Sequence, residues 1–431
     1  MRAIAILVLA ACGGAASSGP TVAQVAPPNP QPNPNPQPIP IPIPPPVPNP
    51  IPNPNPNPNP IPQPIPNPQP VATTFTFAAV GDVMLGSTFP DETGKNLPPE
   101  DGKHILEELT PVLSAADITF GNLEGPMIDG GVSTKCGSSS TGLRSASPPA
   151  RQSLTGPPTS SVHRKHPRKA QPAKSCYAFR VPTRYGQYLK DAGFDVMGLA
   201  NNHAMDFGED GRQSSLRTLD ALGIAHSGPV GDIAHLEVRG VHVALVAFAT
   251  YATSYDLNDL AAAQTVVAGE VSRNDVVIVS FHGGAEGATK THVTVGPETF
   301  YNENRGDLRV FTHAMIDAGA ALVFGHGPHV VRGMELYKGR LIAYSLGNFA
   351  TYGGMNLLGP TGIACVLQVT LAKDGALVAA NVVPTLQNMP GGPHLDPERR
   401  VIPLLRQLSS EDFGAAAPQI SDEGVLAIRA K

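Results

Sequence analysis

Residues 275–284 read DVVIVSFHGG: six consecutive residues from Val276 to Phe281 with only Ser280 polar, then His282 and two glycines. An apolar run of this length without alternation predicts a strand buried on both faces, as in a parallel sheet covered by helices. The same grammar recurs on either side. Thr74–Val80 (TFTFAAV) runs into Gly81-Asp82, and Asp117–Phe120 into Gly121-Asn122-Leu123-Glu124. Val196–Ala200 enters Asn201-Asn202-His203, and Ala321–Phe324 meets Gly325-His326-Gly327-Pro328-His329. Helical patterns lie between them at His104–Leu109, Thr183–Ala192, Gly211–Leu222 with Gly223 as its stop, and Leu308–Ala318 stopped at Gly319. Val331–Tyr337 and Arg340–Ser345 flank Lys338-Gly339 as a hairpin. Strands alternating with helices, then hairpins, predict an α/β fold with a mixed sheet. Its ligands gather at the carboxyl ends of the strands.

Composition bounds the rest. The chain has 431 residues, 41% hydrophobic and 15% charged, with a formal charge of −5, which argues against nucleic acid as its partner. No run of 18 apolar residues occurs, so no spanning helix is expected. Residues 1–12 (MRAIAILVLAAC) form a short secretory apolar core behind Arg2. Leu9-Ala10-Ala11-Cys12 resembles a bacterial lipobox, which assigns residues 1–11 to a signal peptide and Cys12 to lipidation; the alternative is a plain signal peptide cut near Ala16. Acylation would hold an exported protein on a membrane, in the periplasm or at the cell surface. From 27 to 70 the chain has 24 prolines in 44 positions, so 12–70 reads as a lipid anchor and a Pro-rich polyproline II stalk. The folded domain is expected over 71–395, with a C-terminal tail over 396–431.

Taken singly, Asp82, Glu124, Asn202, His203, His282, His326 and His329 have bland roles as caps, turn residues or satisfied core histidines. Together they sit at five strand ends that converge on one rim. Carboxylates mixed with imidazoles suit a borderline divalent ion such as Zn, Mn or Fe; a second ion fits if one carboxylate bridges.

The segments GDVML (81–85), GNLEGP (121–126), GFDVMGLANNHAMDFG (193–208), VIVSFHGGAE (277–286), IDAGAALVFGHGPHV (316–330) and ELYKGRLIAYSLGNF (335–349) resemble the CapA/PgsA family. That family is associated with poly-γ-glutamate capsule synthesis and the calcineurin-like metallophosphoesterase superfamily. The resemblance implies a four-layer sandwich, two mixed β-sheets flanked by helices, with one or two metal ions on a rim. It makes Asp82 a ligand of a first metal together with His329, and Glu124 a bridge. Asn202, His282 and His326 serve a second metal, and His203 is the general acid or a transition-state contact near the leaving oxygen. Met84 departs from the superfamily's D-x-H motif, because a thioether is a poor ligand for such ions. Glu286 either orients His282 from behind or is a surface acid.

Residues 131–176 interrupt the family pattern. From 130 to 176 the chain carries eight Lys or Arg and no acid, which reads either as a solvated insertion or as a surface for a polyanion. Cys136 and Cys176 bracket this stretch and can close a disulfide in an exported protein; Cys365, in an apolar run, reads as a buried free thiol. Two functions remain open. One is a cell-envelope lipoprotein acting in synthesis or export of poly-γ-glutamate or a related anionic polymer through a metal-dependent hydrolase site. The other is a non-catalytic polymer-binding or scaffold component of a capsule synthesis complex.

Overall fold

Two stacked sheets build the core of this computed structural model, which describes residues 73–136 and 176–428. The first sheet is eight-stranded. Its centre is Thr74–Met84, parallel to Ile118–Leu123 on one side and antiparallel to Ile363–Ala372 on the other. Val196–Gly198 and Ala225–Ser227 extend it outward from Ile118–Leu123; the long hairpin partner Leu377–Gln387 and then Pro393–Leu395 extend it the other way. Asn348–Thr351 pairs with the end of the central strand, setting Asn348 opposite Asp82. The second sheet is seven-stranded. Val241–Ala249, Val276–His282, Leu322–His326 and Arg340–Ala343 run parallel. Its antiparallel neighbours at the two sides are Ala234–Val238 and Met334–Tyr337.

The two-residue period of the strands sorts side chains into layers. Phe75, Phe77 and Ala79 join Val243, Leu245, Ile278 and Phe324 in the core between the sheets. Ala78 and Val80 face the other way, into a cluster with Leu189 and Leu219 from helices Gly186–Ala192 and Gly208–Leu222. On the far face of the second sheet, Val277 and Val279 pack with Val267 and Phe311 from helices Leu260–Val271 and Leu308–Asp317. Helix, sheet, sheet, helix is the four-layer mixed α/β arrangement.

Several local expectations need revision. Residues 103–109 form turns, with helix only at Thr110–Leu113, because Pro111 can open a helix but not sit inside one. Helix Leu260–Val271, capped by the Asp259 carboxylate on Ala262 N, has no clear apolar stripe and escaped the sequence reading. The segment assigned to a C-terminal tail is no tail. Helix Val401–Phe413 buries Val401, Ile402 and Leu405, and with Ile420 and Leu426 it completes the core between the sheets. The hairpin at Lys338-Gly339 closes Tyr337 against Arg340. Cys365 is a buried free thiol, its pKa pushed up to about 12 by burial. Among the described residues no helix is long and apolar enough to cross a membrane. Residues 1–72, with Cys12 and the Pro-rich stretch, and 137–175 of the basic insertion lie outside the described residues.

The candidate metal centre

Five parallel strands from the two sheets deliver their ends to one rim. The central strand bulges between Ala79 and Asp82, and there Gly81 passes so close to Gly347 that a Cβ would overlap its carbonyl. That approach lets Asp82 N donate to Gly347 O at 3.0 Å and sinks the Asp82 side chain completely. His282 and His326 are the last residues of neighbouring strands and stand in register with each other.

Asp82, Glu124 and His282 each offer a ligand atom, all within 4.8 Å of one another, and all three are fully buried. Asn122, missed by the sequence reading, holds the carboxylates in place. Its Nδ2 donates to Asp82 Oδ1 at 2.9 Å and to Glu124 Oε2 at 2.6 Å, and its Oδ1 accepts from Asn201 at 3.1 Å. The signal for it was present, since Asn122 stands near the end of its strand, two residues before Glu124. His329, in a left-handed conformation with φ 59°, donates Nδ1–H to Asp82 Oδ2 at 2.8 Å and lies 3.0 Å from Asn348 Oδ1.

The electrostatics follow from this packing. Burial works to raise the Asp82 carboxyl, but the His329 hydrogen bond and charge outweigh it and hold Asp82 below its ordinary range. Burial also opposes charge on His329, yet Asp82, then Glu286 and Glu124, push that ring up to about 9. Glu124 is raised well above the usual range by burial and by Asp82. Burial depresses His326 to about 4, and it lowers His282 well below its ordinary value, with Arg305 adding to the effect.

Orphaned atoms test whether a cation fits. Glu124 Oε1, Asn202 Oδ1, both His282 ring nitrogens and His326 Nδ1 are buried with no hydrogen-bond partner. Buried polar atoms are rarely left so, and oxygen with imidazole nitrogen is the donor set of a divalent transition ion. The residues fit such an ion. Met84, by contrast, is buried in the apolar cluster under the helices.

His203 stands beside this group, buried, with Nδ1 2.7 Å from Asp206 Oδ2. Burial lowers its pKa, and Asp206 works against that shift. Asp206, three residues on in the same turn, was also missed. Glu286 needs correction as a support for His282. The φ of +84° at Gly284 swings the chain away, so Glu286 meets buried Arg305 at 3.1 Å and approaches His329 Nε2 at 3.8 Å. Cys136 and Cys176 are joined, with Cα atoms 5.6 Å apart.

Comparison with known proteins bears on this arrangement. Residues 76–150 and 162–352 match the family model described as bacterial capsule synthesis protein PGA_cap. A relative from Bacillus subtilis (strain 168), named PGA biosynthesis protein CapA, is 30% identical over 315 residues, 69% of this chain and 67% of that protein. The capsule biosynthesis protein CapA of Bacillus anthracis is 29% identical over 216 residues, 46% of this chain and 48% of that protein. Among solved structures, the 5'-nucleotidase precursor from Thermus thermophilus is 13% identical at a TM-score of 0.36, covering 76% of this chain and 55% of that one; a likeness so loose carries no functional argument. The family match spans all six segments singled out in the sequence, and the chain belongs to the bacterial capsule synthesis protein PGA_cap family.

Proposed function

We propose that this protein acts in the synthesis or export of poly-γ-glutamate or a related anionic envelope polymer, through a metal-dependent hydrolytic site on the rim. The observation that carries the proposal is the buried trio Asp82, Glu124 and His282 with its unpartnered ligand atoms. Asp82, Glu124 and His282 would hold a divalent cation, with Asn202 Oδ1 and His326 Nδ1 as further donors. Such an ion supplies Lewis-acid charge that polarises a phosphoryl or acyl oxygen.

The chain's own residues do the rest. Asn122 keeps two carboxylates aimed at one point. His203 donates Nδ1–H to Asp206, which leaves Nε2 as the atom that accepts or returns a proton. His329 keeps Asp82 ionised by standing against it as a cation. Arg305 and Glu286 back His329 from the other side.

The same reading makes the protein an exported lipoprotein, anchored through Cys12, with partners among polymer chains or capsule synthesis proteins. Replacing Cys12 by Ser would release it from membranes. The test of the site is metal analysis of the purified chain with a phosphodiesterase assay, beside Asp82→Ala and His203→Ala. Bound metal with turnover lost in both variants is the expected result. Metal without turnover in the parent chain favours a polymer-binding scaffold, and no metal at all removes the proposal.

A further inference from the structure

We propose that the two segments joined by the Cys136–Cys176 disulfide form a collar that locks His203 in its Nδ1–H tautomer, with Lys135 as the positioning residue. The inference deepens the reading of His203 as the proton-carrying group and rests on it.

The collar grips the His203 turn from both arms of the disulfide. On the first arm, Ser133 Oγ and Thr134 N donate to the Asp206 carbonyl at 2.9 and 3.0 Å, and Thr134 Oγ1 to the Met205 carbonyl at 3.0 Å. Lys135 then reaches inward. Its Nζ lies 3.2 Å from Asp206 Oδ1, 3.1 Å from the Asn202 carbonyl and 3.3 Å from His203 Nδ1. On the second arm, three residues beyond Cys176, Phe179 N donates to Asp206 Oδ2 at 2.8 Å, and the Phe179 ring packs 4.4 Å from the His203 ring.

The chemistry of Asp206 makes Lys135 matter. The carboxylate is completely buried. Oδ2 is taken by His203 and Phe179, and the ammonium is the charge that faces Oδ1. An exposed ion pair is worth little, but here one partner is fully buried, and removing its counter-charge leaves an anionic oxygen without compensation. The carboxylate then turns away, and the His203 ring loses the acceptor that fixes its tautomer. Lys135 directly precedes Cys136, so the crosslink sets where its backbone lies. Lys135, at the edge of the basic stretch, is thereby wired into the site.

The test uses the full chain labelled with 15N at histidine, with His203 identified by loss of its signals in His203→Gln. The oxidised parent is expected to show one Nδ1–H tautomer. Lys135→Met, and separately the Cys136→Ser/Cys176→Ser chain, lose that single-tautomer signature, and Lys135→Arg restores it. Retention of the signature in Lys135→Met or in the double-serine chain overturns the inference. Should the double-serine chain fail to fold, the Lys135 variants, which keep the disulfide, decide the matter. Loss of the signature with turnover unchanged upholds the collar and removes the proton role of His203, so the two readings fail separately.

Discussion

The two sheets contribute to the rim in opposite ways. The first sheet supplies Asp82, Asn122, Glu124, Asn201 and His203, and the Asn122 and Asn201 amides tie Asp82 Oδ1, Glu124 Oε2 and the His203 backbone N–H into one network that leaves Glu124 Oε1 free. The second sheet supplies His282 with both ring nitrogens bare and His326 with Nδ1 bare. The first half is an interlocked frame; the second is a pair of unspent donors. A folded protein accepts unpaired buried nitrogens at a free-energy cost, and does so where a ligand later satisfies them.

The largest effect expected is on metal affinity. Asp82→Asn and His282→Ala each remove a ligand, so each should weaken Mn²⁺ or Zn²⁺ binding beyond the about 100-fold upper range for losing an outer partner; titration calorimetry reads this, and unchanged affinity in His282→Ala would show that the bare nitrogens face nothing. Asn122→Ala strikes the frame. It leaves two carboxyl groups without their shared donor and should lower metal-free stability by about 1–3 kcal/mol in denaturant melts. His282→Leu sharpens the contrast, because it replaces unsatisfied polar atoms with an apolar side chain of similar reach. The metal-free variant should melt no lower than the parent, and up to about 1 kcal/mol above it, while losing metal binding.

The smallest effect lies away from the rim. Asp232, 2.9 Å away, raises the His226 pKa against the opposing effect of burial, and Asp220 adds to it. A raised folded-state pKa stabilises fully below the ordinary value near 6.5, and the stabilisation fades as pH climbs through the folded pKa. The stability gap between parent and His226→Gln should therefore be widest below pH 6 and shrink on the alkaline side. A gap that widens with pH would contradict the pairing.

The sequence disclosed the frame's ends but not its joinery. Each strand-then-loop run announces its terminal acid or imidazole, because burial forces an apolar strand and the loop is where a polar group can stand. Lys135, Arg305 and Asp206 act through contacts made by residues distant along the chain or hidden in a turn, and nothing in their neighbourhoods marks them. Glu286 misled because two glycines intervene, and backbone direction after a positive φ is not legible from spacing. The segment over 396–431 reads as a tail, and the Pro-Gly run at 390–393 ahead of it carries no signal of its own. That run is a close crossing, where Gly391 bridges to Tyr352 and a Cβ would overlap the Thr351 carbonyl. The helix behind it seals the space between the sheets.

The placement of the Thr74–Met84 strand has a kinetic consequence. Thr74 pairs with Ala372, a contact spanning roughly three hundred residues, and such non-local closure slows folding. Asp82 and His329 are separated by 247 positions. Until the polypeptide through residue 372 is available, the strand bearing Asp82 keeps one naked edge, open to mispairing with other chains. Refolding from denaturant should accordingly be slow and concentration-sensitive, with the rim among the last features to assemble.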